Sequence, residues 1–331
     1  MLHYETKDLT IPEIQRLLQG GVAPRPIALV STLSEDGVPN LTPFSFFNVF
    51  GANPPVLAFS ASRRGRDGTL KDSFNNIMYS KECVVQAVTF PMVEQISLAS
   101  TEYPSDINEF IKSGLTPIPS DLVKPFRVKE SPFQMECKLL HMIPVGDGGA
   151  SANIAICEVI KFHISEDIFR NGVIYPDLID LVARMGGDFY SRASGSSLFE
   201  VEKPIAKKGI GYDNLPDYFK TSDIYSANNL GKFGNIEKIP DDNDVIEFIK
   251  SINEEKFENF EPTEEAFYRF QKNNDYRKMY KAALFLIPQN HHKGKIFVEL
   301  TAKCALENNN IPFAWKAALS AIKLGVIQEQ F

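Results

Sequence analysis

Two short segments carry residue types whose combination could do chemistry. The first, Ser60-Ala61-Ser62-Arg63-Arg64-Gly65-Arg66-Asp67-Gly68-Thr69-Leu70-Lys71-Asp72-Ser73, leaves an apolar run, passes three arginines and two glycines, and enters a helix-like stretch carrying Lys71 and Ser73. A strand-to-loop-to-helix passage of this kind gathers backbone N–H groups, a positive helix end, hydroxyls and guanidinium forks, the parts that hold a phosphate dianion. A solvated basic loop is the plain alternative. The second segment, Asn40-Leu41-Thr42-Pro43-Phe44-Ser45-Phe46-Phe47-Asn48, sets three phenylalanines around a hydroxyl next to proline. It can line an apolar slot with Ser45 and backbone amides at its edge, which suits a planar heteroaromatic ring, and it would equally serve as core.

What is missing narrows the chemistry further. No GxGxxG opens a strand-to-helix unit and no GxxxxGK[ST] occurs, so neither a dinucleotide fingerprint nor a P-loop is supported. The five histidines form no HExxH, and the neighbours His291 and His292 point apart on any regular element, leaving a metal site without enough ligands. Cys83, Cys137, Cys157 and Cys304 show no CxxC spacing and sit in apolar runs, which reads as buried reduced thiols and a cytoplasmic setting. A net charge of −7 over 331 residues supplies no basic face for nucleic acid, so an anionic ligand has to meet a local cluster of positive charge. The start, Met1-Leu2-His3-Tyr4-Glu5, lacks a basic opening and an apolar core, and no run of about 18 apolar residues suggests a membrane span.

The elements that would position these segments are mostly strands. Pro26 to Leu33 is apolar and β-branched, ends in the turn Ser34-Glu35-Asp36-Gly37, and leads into Val38 to Leu41, a hairpin. Val56 to Phe59, Cys83 to Phe90, Phe133 to Val145 and Ala152 to Ile164 have the same character, the last two flanking the turn Gly146 to Ser151. Short helices fit at Thr69 to Ser80 and Pro91 to Ser100. Strands joined chiefly by hairpins point to an antiparallel barrel.

From about Pro240 an acidic stretch gives way to apolar residues at helical spacing. Tyr280-Lys281-Ala282-Ala283-Leu284 is echoed by Trp315-Lys316-Ala317-Ala318-Leu319, and since 315 − 280 = 35 the period is near that of tetratricopeptide repeats. A generic helical appendage fits the same pattern. The chain therefore reads as β-rich α+β, with residues 1–239 a barrel domain and 240–331 an α-helical extension.

Taken in order, Arg25-Pro-Ile-Ala-Leu-Val-Ser-Thr, Gly37-Val-Pro-Asn40-Leu-Thr-Pro-Phe-Ser45-Phe-Phe, Pro54-Pro-Val-Leu-Ala-Phe-Ser60, Ser62-Arg63 and Lys71-Asp72-Ser73 resemble the flavin-reductase-like family of FMN-binding split β-barrels, which includes flavoredoxin. Cys157 to Ile164, Ala183 to Tyr190 and Gly209 to Asn235 continue the likeness. The resemblance implies a homodimer holding FMN non-covalently near the subunit interface. It implies Asn40, Thr42, Ser45 and Phe46 along the flavin ring and ribityl chain, Ser60, Ser62, Arg63, Lys71 and Ser73 at the chain and phosphate, and Arg184 beside the site with Tyr190. His163 is the residue it offers as a nicotinamide contact, with a strand histidine at the interface as the alternative.

The activity implied is an FMN-dependent oxidoreductase, NADH- or NADPH-linked, reducing flavin or a small-molecule electron acceptor, with the hydride chemistry residing in the flavin. One rival is a flavoredoxin-like electron-transfer protein without nicotinamide chemistry. The other is a scaffold whose helices recruit a protein partner while the barrel keeps a vestigial flavin site.

Overall fold

The protein is described by a computed structural model covering residues 1–327 apart from 206, 259 and 290; the side chain of His291, one half of the histidine pair, lies outside the described residues. The chain divides into two compact units, Met1–Glu200 and Val201–Phe331. The expected division after residue 239 thus differs from the observed one by about a helical hairpin. The reason is packing. Leu215, Phe219, Tyr225, Leu230 and Phe233 share a core with Trp315 and Tyr280, and Trp315 Nε1 donates to the Phe233 carbonyl at 3.1 Å.

The first unit runs α1 (Ile11–Gly21), β1 (Ala28–Leu33), β2 (Pro39–Phe44), β3 (Phe47–Ala52), β4 (Pro55–Ser60), α2 (Asp72–Ser80), β5 (Glu82–Ala87), α3 (Val93–Ala99) and α4 (Glu109–Ser113). It continues with β6 (Pro117–Ile118), β7 (Arg127–Val128), β8 (Phe133–Val145), β9 (Ala152–Ile164), β10 (Phe169–Arg170), β11 (Val173–Ile174), α5 (Pro176–Ile179), β12 (Val182–Arg184) and β13 (Tyr190–Arg192). Seven strands form one antiparallel sheet in the order β2-β1-β5-β8-β9-β4-β3. Gly37, at φ +81°, closes the β1–β2 turn, a conformation that glycine adopts without steric cost.

The sheet curls into a barrel. Phe44 on β2 stacks on Phe59 of β4 with ring centroids 5.3 Å apart, although those strands lie at almost opposite ends of the sheet order. Alternation of side chains then splits β1 between two cores. Ala28 and Val30 face a barrel interior with Leu57, Phe59, Cys83, Cys137 and Cys157. Leu29 faces outward under Met92, Ile96 and Phe110, where α3 and α4 cover the sheet. All four cysteines are free and buried.

The second unit contains α6 (Asp217–Lys220), α7 (Ala227–Gly234), α8 (Asp242–Glu254), α9 (Glu264–Lys272), α10 (Tyr276–Leu286), α11 (Gly294–Glu307) and α12 (Ile311–Lys323). The echoed Tyr280–Leu284 and Trp315–Leu319 segments fall on α10 and α12, the second helices of two hairpins, where Ala282, Ala283, Ala317 and Ala318 let neighbouring helices approach closely. Among the described residues no helix is long and apolar enough to cross a membrane.

Candidate functional site

The two chemically suggestive segments meet. Lys71 caps the N-terminal end of α2, and its Nζ stands 5.6 Å from the ring centroid of Phe44, beside Ser45 and Phe46. Lys71 is half-buried, and burial pulls its ammonium below the ordinary lysine range, a shift that the charges of Glu102 and Asp72 only partly offset. Among the described residues no carboxylate lies within ion-pairing distance of it. A cation removed from water without a partner is costly, and an anion at that point would relieve the cost.

The loop sorts its arginines. Arg64 pairs with Asp72 at 3.1 Å and approaches Glu102 at 3.7 Å, while exposed Arg66 pairs with Asp67 at 3.0 Å. Among the described residues Arg63 has no acidic partner. Its Nη1 donates to the Gly68 carbonyl at 2.9 Å, and its Nε is buried without a hydrogen-bond partner. Asp67 stiffens the turn by accepting from the Thr69 hydroxyl and amide, which hold its carboxyl down to about 2. Ser60 and Ser62 follow from the end of β4 with their hydroxyl oxygens 3.0 Å apart.

A second turn braces this loop from outside. The Arg63 amide donates to the Ser151 carbonyl at 2.9 Å, the Ala61 amide to the Asn153 carbonyl at 3.0 Å, and Asn153 Nδ2 returns a bond to the Ala61 carbonyl at 3.1 Å. A methyl group at Gly149 would sit 2.6 Å from the Gly65 carbonyl oxygen, so glycine is required where the β8–β9 turn meets the loop. In the sequence this turn shows only as a hairpin connection, because nothing local reveals what it touches.

The remaining expected residues divide. Thr42 pairs with Val30 in the sheet and is half-buried; Ser45 is half-buried in the bend after β2, and Phe46 is 42% exposed with its carbonyl accepting from the Ser60 amide. Asn40 and Ser73 turn inward. Ser73 Oγ donates to Asn40 Oδ1 at 2.7 Å, and Asn40 Nδ2 donates to Glu109 Oε1 at 2.9 Å, so their polar groups are committed below the loop. Arg184 donates to the Gly187 carbonyl at 2.8 Å and stacks on Tyr190 at 4.6 Å, bracing its own hairpin.

His163 also has a partner. Its Nε2 lies 2.6 Å from Oε1 of fully buried Glu136, which accepts from the amides of Asp121, Leu122 and Val123 at 2.8, 2.6 and 3.1 Å. Burial alone would raise the Glu136 carboxyl, but these amides and His163 outweigh it and hold the group below the ordinary range. The pair therefore anchors the 121–123 turn, which a lone strand histidine in the sequence does not disclose. Asp121, bonded to Lys161, stands in the same cluster.

Comparison with known proteins agrees with this architecture. Residues 21–178 match the flavin reductase like domain. An uncharacterised protein from Aquifex aeolicus is 36% identical over 201 residues, which are 60% of this chain and 100% of the relative. Nitrilotriacetate monooxygenase component B from Bacillus cereus superposes with a TM-score of 0.57 at 30% identity, over 61% of this chain and 98% of its own. The 2-nitrobenzoate 2-nitroreductase of Pseudomonas fluorescens does so with 0.55 at 27%, over 63% and 100%. The curled antiparallel sheet and its basic loop define a flavin-reductase-type split barrel. Through it the chain belongs to the flavin reductase-like family.

Proposed function

We propose that the N-terminal unit binds FMN and works as an oxidoreductase. The observation that carries this reading is Lys71, a partly buried ammonium at the N-terminal end of α2 with no carboxylate partner among the described residues, on the same loop as Arg63, whose buried Nε has none there either. Those donors fit a terminal phosphate. Phe46 and Ser45 offer an apolar edge and a polar rim to the ring, with Ser60 and Ser62 between the two ends. When bound, FMN would supply a ring that takes up and releases a hydride or single electrons. The protein would bind its phosphate, hold the ring against Phe46 and limit water around it.

The electron donor is NADH or NADPH in this reading, and the acceptor a free flavin or another small molecule. The names of the two solved relatives, a monooxygenase component and a nitroreductase, support redox work of that kind. We further propose a homodimer, since an open basic loop and exposed Phe46, Val49 and Phe50 leave the ring covered on one side only. Nucleic acid has no place in it.

An absorption spectrum and an FMN titration of the purified protein test the first claim. A flavin spectrum with 1:1 binding is expected; a colourless protein that cannot be loaded overturns it. Rapid mixing of the loaded protein with NADH and with NADPH then decides the donor, and bleaching with neither leaves the electron-transfer rival. Because His163 is engaged by Glu136, His163→Ala should lower stability more than it slows any bleaching.

A further inference from the structure

Five buried polar side chains connect α4 to α2 through the first two strands. Glu109, the first residue of α4, accepts from Asn40 Nδ2 at 2.9 Å and from the Leu41 amide at 3.1 Å. Asn40 Oδ1 accepts from Ser73 Oγ at 2.7 Å and from Thr32 Oγ1 at 3.2 Å, and Thr32 Oγ1 accepts from Asn76 Nδ2 at 3.0 Å. All five, Thr32, Asn40, Ser73, Asn76 and Glu109, are at most 7% exposed. Ser73 and Asn76 are three residues apart on α2, so both grip one face of that helix.

The network has a direction. A carboxylate only accepts, so the Asn40 amide must turn its NH2 toward Glu109; Oδ1 then faces away, and the Ser73 and Thr32 hydroxyls must donate to it. The Ser73 proton is thereby spent inward, next door to Lys71. We infer that Glu109 is a positioning residue: through Asn40 it fixes Ser73 and Asn76, and so sets the N-terminal end of α2 and Lys71 where a phosphate would bind. This rests on the proposed FMN site. It also reassigns Ser73, from a phosphate donor to the link that holds the donors in place.

The test uses the full chain with FMN and riboflavin, which share a ring and differ in the phosphate, titrated at fixed salt by flavin fluorescence quenching. Glu109→Gln leaves one oxygen for the two donors Asn40 Nδ2 and the Leu41 amide, so one of those bonds is replaced by two facing N–H groups; FMN affinity should fall about tenfold and riboflavin affinity less than about twofold, in line with the loss of about one charge-assisted bond. Ser73→Ala should give a similar loss, and the double variant little more than either, because both cut one route. Independent, additive losses would show Ser73 touching phosphate directly and would overturn the inference, as would equal losses for both ligands. Hydrogen exchange of residues 71–80 in the flavin-free protein reads the same point without ligand: Ser73→Ala should speed exchange in the first turn of α2, and unchanged exchange overturns the relay even if Glu109→Gln fails to fold. A wild-type chain that binds no FMN defeats the functional reading itself.

Discussion

Glu136 in the N-terminal unit and Glu299 in the C-terminal unit are both buried, at 0% and 3% exposure, yet their surroundings treat them oppositely. Glu136 receives three backbone amides and His163, and its carboxyl is held low. Glu299, on α11, keeps an oxygen with no hydrogen-bond partner; burial raises its carboxyl, and Lys295 at 3.8 Å only partly offsets that. Tyr218, Tyr225 and Tyr280 in the same unit also leave hydroxyls unbonded. Around Glu136 the barrel uses buried polar groups to order a turn, whereas around Glu299 the helical unit, closed on Trp315, Phe219 and Phe233, carries a buried polar atom as a cost; the barrel has such atoms too, at Arg25 Nε, Arg63 Nε and Asn153 Oδ1.

The largest expected effect breaks the helical unit alone. Trp315→Ala removes a fully buried indole and should cost about 3–5 kcal/mol, seen as an early transition of the C-terminal unit in urea. FMN binding should stay within about twofold, since the indole packs within the core of the C-terminal unit; a parallel loss would dissolve the contrast. Next, Glu136→Ala should destabilise the barrel by about 3 kcal/mol, because three amides and His163 lose their acceptor together.

The two carboxylates should also titrate in opposite senses. The stabilisation from Glu136, whose folded value lies below 4.5, is present above that ordinary value and is lost as pH falls through the lowered one. For Glu299 the folded value lies above 4.5, so a penalty appears as pH rises from there through the raised value. Denaturant melts of Glu136→Gln and of Glu299→Gln beside the wild type, over the acid range where carboxylates ionise, would show the two single-residue contributions with opposite sign.

A smaller effect concerns binding. Lys71→Ala or Arg63→Ala should weaken FMN by about tenfold to a hundredfold and riboflavin hardly at all, the worth of about 1.5–3 kcal/mol for a charge-assisted contact. Equal losses would make these residues shapers of the pocket. The smallest is Glu299→Gln, which removes the charge and should stabilise the helical unit by about 1 kcal/mol at neutral pH in the same urea melts.

Much of the barrel was legible in the sequence because its signals are local. The 133–145 and 152–164 strands and the Ser34–Gly37 turn follow from alternation and glycine, and the helix expected over Thr69 to Ser80 is present from Asp72. β3 was not legible, since Phe47 to Ala52 is largely exposed and Phe47 reads as pocket lining. The choice of Arg63 from three arginines depended on Asp72 and Glu102, and Glu102 lies nearly forty positions away. The inward bonds of Asn40 and Ser73 are not visible locally, because Asn40 donates to Glu109, 69 residues further on, and Ser73 donates to Asn40, 33 residues back. The 201–239 segment looked barrel-like because its glycines carried a family pattern, whereas its aromatic residues settle membership by packing.

The contact between Gly149 and Gly65 bears on how this protein could be altered. With 2.6 Å between the place of a methyl group and the facing carbonyl oxygen, the basic loop and the β8–β9 turn have a single joint shape. A mutant library confined to residues 61–70 would sample only loops compatible with an unchanged turn, and most gains in ligand range would stay out of reach. Changing both segments together opens that space, so the productive unit of redesign is the pair.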